Sequence, residues 1–367
     1  MLPTKRNGAG NQQNYIPAGH DDGGEYTDGH NGEPVKGSRG EKVSSPTPKH
    51  QGSFQRLLET ENYTPKFKAH LESQFATGSQ EAKDTLEHFI GEGKLKFFQT
   101  GGRDYYNGGN GINLSPTVGR RLQGEVFWHE THHGIDGRSM ELFSQAERYI
   151  PQKPTEASFV MNISTGVICP NGQTMLQTLE GEFKKTRAEI SATGTSIIKR
   201  EYDEDYQRRM NEKFPDHVEL EQQGMNRKRE LRKQALGMLG KDSEFFLSND
   251  EIKQLNKNFE ELAKNDPLMQ RYEELSKYRR DLTYEMFKEW GDVSDMYEAM
   301  GFVPFVGGHP GNYFKERKLK AQEFFAEYGS ALATGDMKSL SKLEIYFPET
   351  SKQCRYLIEE VRRRMKK

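Results

Sequence analysis

Apolar residues recur at helical spacing along most of the chain. Between 53 and 92, leucine and phenylalanine return every three or four positions with charged residues between them, which predicts amphipathic helices. The stretch 174–290 keeps the helical period but has few apolar positions and charges of alternating sign, which is typical of solvated helices. Two further amphipathic patterns predict helices at 317–334 and 350–365.

Short apolar runs interrupted by glycine predict a small β-sheet before a buried helix. The runs 95–99, 104–106 and 112–114 are separated by glycine-rich turns, which favours short antiparallel strands. A Ser-Pro-Thr segment then predicts the start of a helix over about 118–135. The same patterns predict a second small β region at 158–163 and 166–169 and a glycine-rich loop at 302–313.

Residues 1–52 form a segment of different composition, rich in Gly, Asn, Asp, Ser and Pro and almost without aliphatic residues. Such a segment buries too little apolar surface to offset its ordering entropy, so we expect it to be disordered. Composition leaves two interpretations open: a flexible tail, or an unfolded leader that a secretion machine other than Sec recognises. The segment lacks the apolar core of a Sec signal peptide, so Sec-dependent export is not expected.

Composition and charge exclude several classes of protein. The 367 residues are 33% hydrophobic and 29% charged, with a formal net charge of -2. Charge this balanced argues against a dedicated nucleic-acid binder, which carries a basic excess. No run approaches ~18 consecutive apolar residues, so we expect no membrane span. Cys169 and Cys354 lie far apart in the sequence and predict reduced thiols instead of a disulfide framework.

The strongest chemical signal is a His-Glu-x-x-His pattern on the predicted helix 118–135. His129 and His133 are four residues apart, so both imidazoles lie on one helix face and can reach one zinc ion. Glu130 lies beside them, where it can accept a proton from water. We expect His132 to point away from the metal, either as a donor behind the ligands or as a surface residue.

A catalytic zinc site also needs a third protein ligand and one open position. Glu323 and Glu327 are the best candidates, because they lie four residues apart on the most apolar downstream helix that carries carboxylates. The pattern does not show which of the two faces the metal.

At these positions the chain resembles the catalytic domain of anthrax lethal factor. It also resembles the relatives of that domain, which include the Pro-Pro endopeptidases and similar toxin and effector metallopeptidases. The likeness rests on two motifs, His129-Glu130-x-x-His133-Gly-Ile-Asp136 and Glu323-Phe-Phe-Ala-Glu327. It implies an α+β fold: a zincin-like metallopeptidase domain, mostly helical with a small antiparallel sheet. The likeness covers about 95–137 and 290–365. The charged stretch at about 174–290 is therefore expected to be a helical insertion in a domain that spans 53–367.

The resemblance also implies roles for individual residues. It assigns one Zn²⁺ ion to His129, His133 and Glu323, the general base to Glu130, the orientation of a histidine to Glu327, and a matching acidic position to Asp136. In the family a tyrosine before the glutamate helix assists the oxyanion. The nearest match here is Tyr313, which is farther from the glutamate than in lethal factor, and His309 is the alternative donor. The segments 292–300 and 308–314 also resemble metallopeptidase domains of phage-head and polymorphic-toxin proteins.

The expected function is that of a zinc-dependent endopeptidase. The resemblance implies a bacterial toxin or translocated effector, made in the bacterial cytoplasm and then secreted or translocated. Its partner would be a protein or peptide substrate of a host or target cell, with 112–114 as the edge strand that pairs with the substrate. The insertion could select that substrate, contact a secretion chaperone or brace the fold. A rival class stays open: a non-catalytic binding or structural protein, such as a phage-head-associated metallopeptidase-like domain.

Overall fold

The computed structural model describes residues 50–99, 105–106, 111–114, 123–151, 161–309 and 312–366. This part of the chain is mostly helical with one small sheet, which confirms the α+β prediction at that level. The predicted disordered leader lies outside the described residues except for its last three positions. The helices are α1 (Ser53–Thr60), α2 (Pro65–Thr77), α3 (Gln80–Gly91), α4 (Gln123–Arg138), α5 (Ile163–Gly166), α6 (Met175–Thr193), α7 (Ile197–Lys213), α8 (His217–Gly237), α9 (Asn249–Lys264), α10 (Pro267–Ala299), α11 (Arg317–Thr334), α12 (Met337–Tyr346) and α13 (Pro348–Met365).

Polar caps and left-handed glycines set where several helices begin and end. The Thr64 side chain accepts a hydrogen bond from the Phe67 N–H at the start of α2, where a proline occupies the first turn. Thr174 and Gln177 form a capping box at the start of α6. Gly335, with φ 72°, follows the last residue of α11. Because these signals lie in the sequence itself, the amphipathic stretches form helices close to where their pattern predicts them.

The sheet has three strands, β1 (Lys96–Phe98), β2 (Tyr105–Tyr106) and β3 (Gly111–Asn113), in the order β1-β3-β2. β2 pairs with β3 in antiparallel orientation, as predicted, but β1 pairs with β3 in parallel orientation. The prediction of a purely antiparallel sheet is therefore wrong. Since β2 lies between β1 and β3 in the sequence, no single turn joins β1 to β3, and the two can run in the same direction. β3 is the middle strand, so the prediction that it is the edge strand is also wrong.

The second predicted β region is mostly helical where the structure describes it. Ile163–Gly166 forms the short helix α5, and Val167 makes only an isolated antiparallel bridge with Arg148. Asp136 favours the helical turn, because its carboxylate accepts the Ser164 N–H that a strand would use for pairing. The positions 152–160 lie outside the described residues. Helix α12 has only ten residues and was not predicted.

One large hydrophobic core surrounds α4 and α11. On α4, Phe127 and Trp128 have no exposed surface, and on α11 the same holds for Phe324, Phe325 and Tyr328. Side chains from α1–α3, the sheet, α6, α7, α10, α12 and α13 complete this core. The helix with the two histidines therefore crosses the protein interior, as the apolar residues before the motif predict. Both cysteines are buried and free of disulfides.

The charged stretch 174–290 is helical, as predicted, and packs in two ways. Phe183 on α6, Tyr202 on α7 and Leu220 on α8 belong to the large core. The second half of α8 packs with α9 and the start of α10 in two small clusters of their own. That the stretch is an insertion stays a prediction. Among the helices that the structure describes, none combines the length and the hydropathy of a membrane-spanning segment.

Candidate metal centre

Helix α4 presents two histidines on one face. His129 and His133 are one turn apart, and their Nε2 atoms lie 3.0 Å from each other. The two rings meet edge to face, with centroids 4.7 Å apart at an interplanar angle of 84°. The four-residue spacing places both imidazoles on the same side of the helix, while Phe127 and Trp128 anchor α4 in the core. The site therefore begins with a rigid pair of nitrogen donors.

Helix α11 brings a carboxylate to these nitrogens. Glu323, only 1% exposed, has its Oε1 at 3.3 Å from His133 Nε2 and its Oε2 at 3.3 Å from His129 Nε2. One ligand atom from each of the three residues lies within 4.8 Å of the others. Ligands held about 2.0–2.2 Å from a tetrahedral zinc ion lie roughly 3.3–3.6 Å apart, so the His–Glu separations suit a common ion.

Glu327 and His132 occupy other places around the same helices. Glu327 Oε1 lies 3.6 Å from His129 Nδ1, behind the imidazole, while Glu323 faces the Nε2 atoms. His132 is buried, and its Nδ1 lies 2.7 Å from the Trp128 carbonyl oxygen. Its ring packs against Gly329 of α11, and burial lowers its pKa to about 4. His132 is thus neither exposed nor among the donors that converge at Glu323.

Charges within the centre stabilise one another. Burial alone would raise the pKa of Glu323, but His133 and His129 outweigh it and hold that pKa well below its usual range. Burial alone would lower the pKa of His129, but Glu327 and Glu323 raise it well above its ordinary value. The carboxylates therefore stay ionised. A divalent cation can replace the histidine protons and find anionic and neutral donors together.

The loop before α11 brings two more polar side chains to Glu323. The Tyr313 hydroxyl donates a hydrogen bond to Glu323 Oε1, and burial together with Glu323 raises the pKa of that hydroxyl, so it keeps its proton. His309 stacks on the Tyr313 ring at 4.3 Å between centroids, and its Nε2 lies 3.9 Å from Glu323 Oε2. Glu130 is buried on α4, and its charge acts on both His133 and Tyr313. The described glycine loop thus places both candidate oxyanion donors at the centre.

Asp136 anchors the end of α4. Its carboxylate accepts hydrogen bonds from the Ser164 N–H at 2.8 Å, the Ser164 hydroxyl at 2.7 Å and the Asn162 side chain at 3.2 Å. Burial raises its pKa to about 6, against the opposing effect of these donors. Asp136 therefore ties the start of α5 to the helix that carries the histidines.

Three further carboxylates reach the centre from α10. Asp292, Asp295 and Glu298 recur at three-residue spacing in the last turns of this helix, beyond position 290, where the charge pattern predicts that the helical stretch ends. Asp292 accepts a hydrogen bond from the Ser339 hydroxyl, and burial and Glu327 raise its pKa well above the usual value. A carboxylate row with apolar neighbours on one helix face is the signal that could have identified them.

Comparisons of this chain with protein-family models, with curated proteins and with solved structures gave no match. What the centre can do chemically therefore follows from its own donors and geometry. Two imidazoles and one carboxylate could together hold a metal ion, with a glutamate and a tyrosine hydroxyl beside them.

Proposed function

We propose that the chain is a zinc-dependent endopeptidase with a zincin-like catalytic domain. The observation that carries the proposal is the convergence of His129, His133 and Glu323 from two helices that lie far apart in the sequence. Glu323 Oε2 supports the fit of a metal, because it is buried and has no hydrogen-bond partner in the part of the chain that the structure describes. A buried carboxylate oxygen without a donor is costly unless a cation neutralises it.

The mechanism follows from the residues around this donor set. Zinc, when bound, supplies Lewis acidity that polarises a peptide carbonyl and makes water easier to deprotonate. Glu130 accepts the proton of the attacking water and later delivers it to the leaving amine. The Tyr313 hydroxyl donates a hydrogen bond to the carbonyl oxygen as negative charge develops there. Glu327 holds His129 from behind through Nδ1.

The substrate would bind as an extended segment of a protein. Strand addition supplies main-chain hydrogen bonds to any sequence, which suits an enzyme that cuts within a chain. Because β3 is paired on both sides, a substrate strand in this sheet would pair with β1 or β2. β1 reaches α4 through Phe97, which stacks on the buried Phe127, whereas β2 reaches it at Gly137, one turn after His133. We favour β2 as the substrate edge for this reason.

Exchange of the general base tests the proposed activity. Zinc-loaded wild type and Glu130→Gln are incubated with a proteome-derived peptide mixture, and new peptide termini are counted by mass spectrometry. We expect Glu130→Gln to lose cleavage by about 10²–10⁴-fold while its zinc content is unchanged. Glu141→Gln removes an exposed glutamate just beyond α4 and serves as the matched control.

Two results would contradict the proposal. Undiminished cleavage by Glu130→Gln would exclude the mechanism. If wild type binds zinc but neither wild type nor Glu130→Gln cleaves any peptide, the rival class of binding or structural proteins is favoured.

The proposal extends to a bacterial toxin or effector that acts inside a target cell. Only the resemblance to lethal factor and its relatives supports this step. Expression of wild type and Glu130→Gln inside bacterial and eukaryotic cells tests it. Growth arrest that requires Glu130 in either host is the expected result. Equal growth of all strains at matched protein levels would contradict it.

A further inference from the structure

A second group of metal-binding side chains lies next to the first. Asp295 and Glu298 come from one face of α10, and His309 comes from the loop that follows it. One ligand atom from each lies within 4.8 Å of the others. His309 Nδ1 is 3.7 Å from Asp295 Oδ1 and 3.7 Å from Glu298 Oε2. These distances are too long for hydrogen bonds, but they are close to the separations of two donors that share one cation.

His309 Nδ1 has no other use in the described structure. The atom is buried, and no hydrogen-bond partner reaches it within the described residues. The imidazole is nevertheless held firmly, because its ring stacks on Tyr313 and its backbone N–H donates to Glu298 Oε2 at 2.8 Å. Ser294 fixes the same loop to α10, since its hydroxyl oxygen accepts two backbone N–H groups at 3.1 Å. The structure thus holds a buried nitrogen between two carboxylates without satisfying it.

Acidic groups surround the ring of His309. Asp295 lies near the carboxylates of Glu298, Glu323 and Glu327, so acidic side chains face this ring from both α10 and α11. Among the ion pairs of the described residues, none joins these four carboxylates to lysine or arginine. One cation at His129, His133 and Glu323 leaves the carboxylates of α10 without a positive partner. A second cation would neutralise them and complete the environment of His309.

We propose that Asp295, Glu298 and His309 bind a second divalent cation, separate from the ion held by His129, His133 and Glu323. One imidazole with two carboxylates favours a transition metal such as Zn²⁺ or Mn²⁺ over Mg²⁺, which prefers oxygen ligands alone. A cation on Nδ1 leaves the proton of His309 on Nε2, which faces Glu323 Oε2 at 3.9 Å. The second ion would therefore fix the tautomer in which His309 acts as a donor toward the first site.

Metal stoichiometry tests this proposal independently of activity. Full-length protein is stripped with a chelator, dialysed against Zn²⁺ or Mn²⁺ alone and assayed by elemental analysis. We expect two equivalents of metal in wild type, and one each in Asp295→Asn, Glu298→Gln and His133→Asn. Glu285→Gln, an exposed carboxylate on α10, is the matched control and should keep two. Circular dichroism and thermal melting confirm that each variant is folded.

Each pattern of results has one meaning. One equivalent in wild type that Asp295→Asn and Glu298→Gln retain would overturn the second site and leave the first intact. One equivalent that every ligand variant loses would indicate a single shared ion and also overturn it. One equivalent that survives His133→Asn but not Asp295→Asn would support the second site and contradict the proposed zinc centre. If Asp295→Asn and Glu298→Gln do not fold, the counts of wild type and His133→Asn decide alone.

Discussion

Gly329 on α11 is the position where the two ligand-bearing helices leave no room for a side chain. An alanine Cβ at this position would lie 2.2 Å from His132 Cδ2 and 2.6 Å from His132 Cγ. The ring has little freedom to move aside, because it is 5% exposed and its Nδ1 is bound to the Trp128 carbonyl oxygen. Gly329→Ala should therefore push α4 and α11 apart.

The magnitude of this effect follows from two opposing contributions. Overpacking of a core costs about 1–3 kcal/mol, whereas alanine is a better helix former than glycine by about 1 kcal/mol. A contact of 2.2 Å is far inside van der Waals distance, so we take the upper part of the cost and expect a net loss of about 1–2 kcal/mol. Gly181 in α6 is the matched control, because no atom lies within 4 Å of its Cβ position. Gly181→Ala should gain about 0.5–1 kcal/mol.

Urea unfolding of wild type and both variants measures these changes in the free energy of unfolding, which should have opposite signs. A zinc titration gives a second readout, since displacement of α4 relative to α11 separates His129 and His133 from Glu323. Gly329→Ala should bind zinc more weakly than wild type, and Gly181→Ala should not. Wild-type stability and wild-type zinc affinity in Gly329→Ala would refute the reasoning.

Three further predictions concern a helix cap, the tyrosine and the metal. Glu182 accepts hydrogen bonds from the N–H of Thr350 and from its hydroxyl at the start of α13, so Glu182→Ala should cost about 2–3 kcal/mol in urea unfolding. A loss of unfolding free energy smaller than that of an exposed Glu→Ala control would argue against Glu182 as the cap of α13. Tyr313→Phe should lower kcat by about 10²–10³-fold with zinc content unchanged, and an unchanged kcat would exclude Tyr313 as the donor. Free Zn²⁺ at 100 times its Kd should stabilise the apoprotein by about 2.7 kcal/mol for each ion bound, and an undiminished shift in His133→Asn would place the binding elsewhere.

Much of the helical structure could be predicted because its signals are local. The pattern at 317–334 gives the bounds of α11, and the four-residue spacing of the histidines gives their common face. The orientation of the strands could not be predicted in the same way. Strands of two or three residues are too short for an alternating pattern, so their pairing depends on contacts with α4 and the core.

The contacts that assemble the centre from separate helices could not be predicted from the sequence, for a related reason. Glu323 and Glu327 lie on the same helix face, and only the packing of α11 against α4 places one at Nε2 of His129 and the other at Nδ1. The carboxylates of α10 lie in the last turns of a long charged helix, where acidic residues are normally solvated. Only the fold shows that Asp292 and Asp295 turn inward toward α11.

The inward carboxylates also indicate why this part of the fold exists. A hydrophobic core gains nothing from several buried acids, and removing one charge from water without a partner costs several kcal/mol. At this site burial and Glu327 raise the pKa of Asp292, so its carboxyl group keeps its proton. The charge of Glu323 is instead balanced by two histidines. Asp295 and Glu298 instead face the buried Nδ1 of His309 at 3.7 Å, at the place where a second cation is proposed. Such a departure from ordinary packing is stable when cations complete it, and this is the physical reason to seek the function of the chain here.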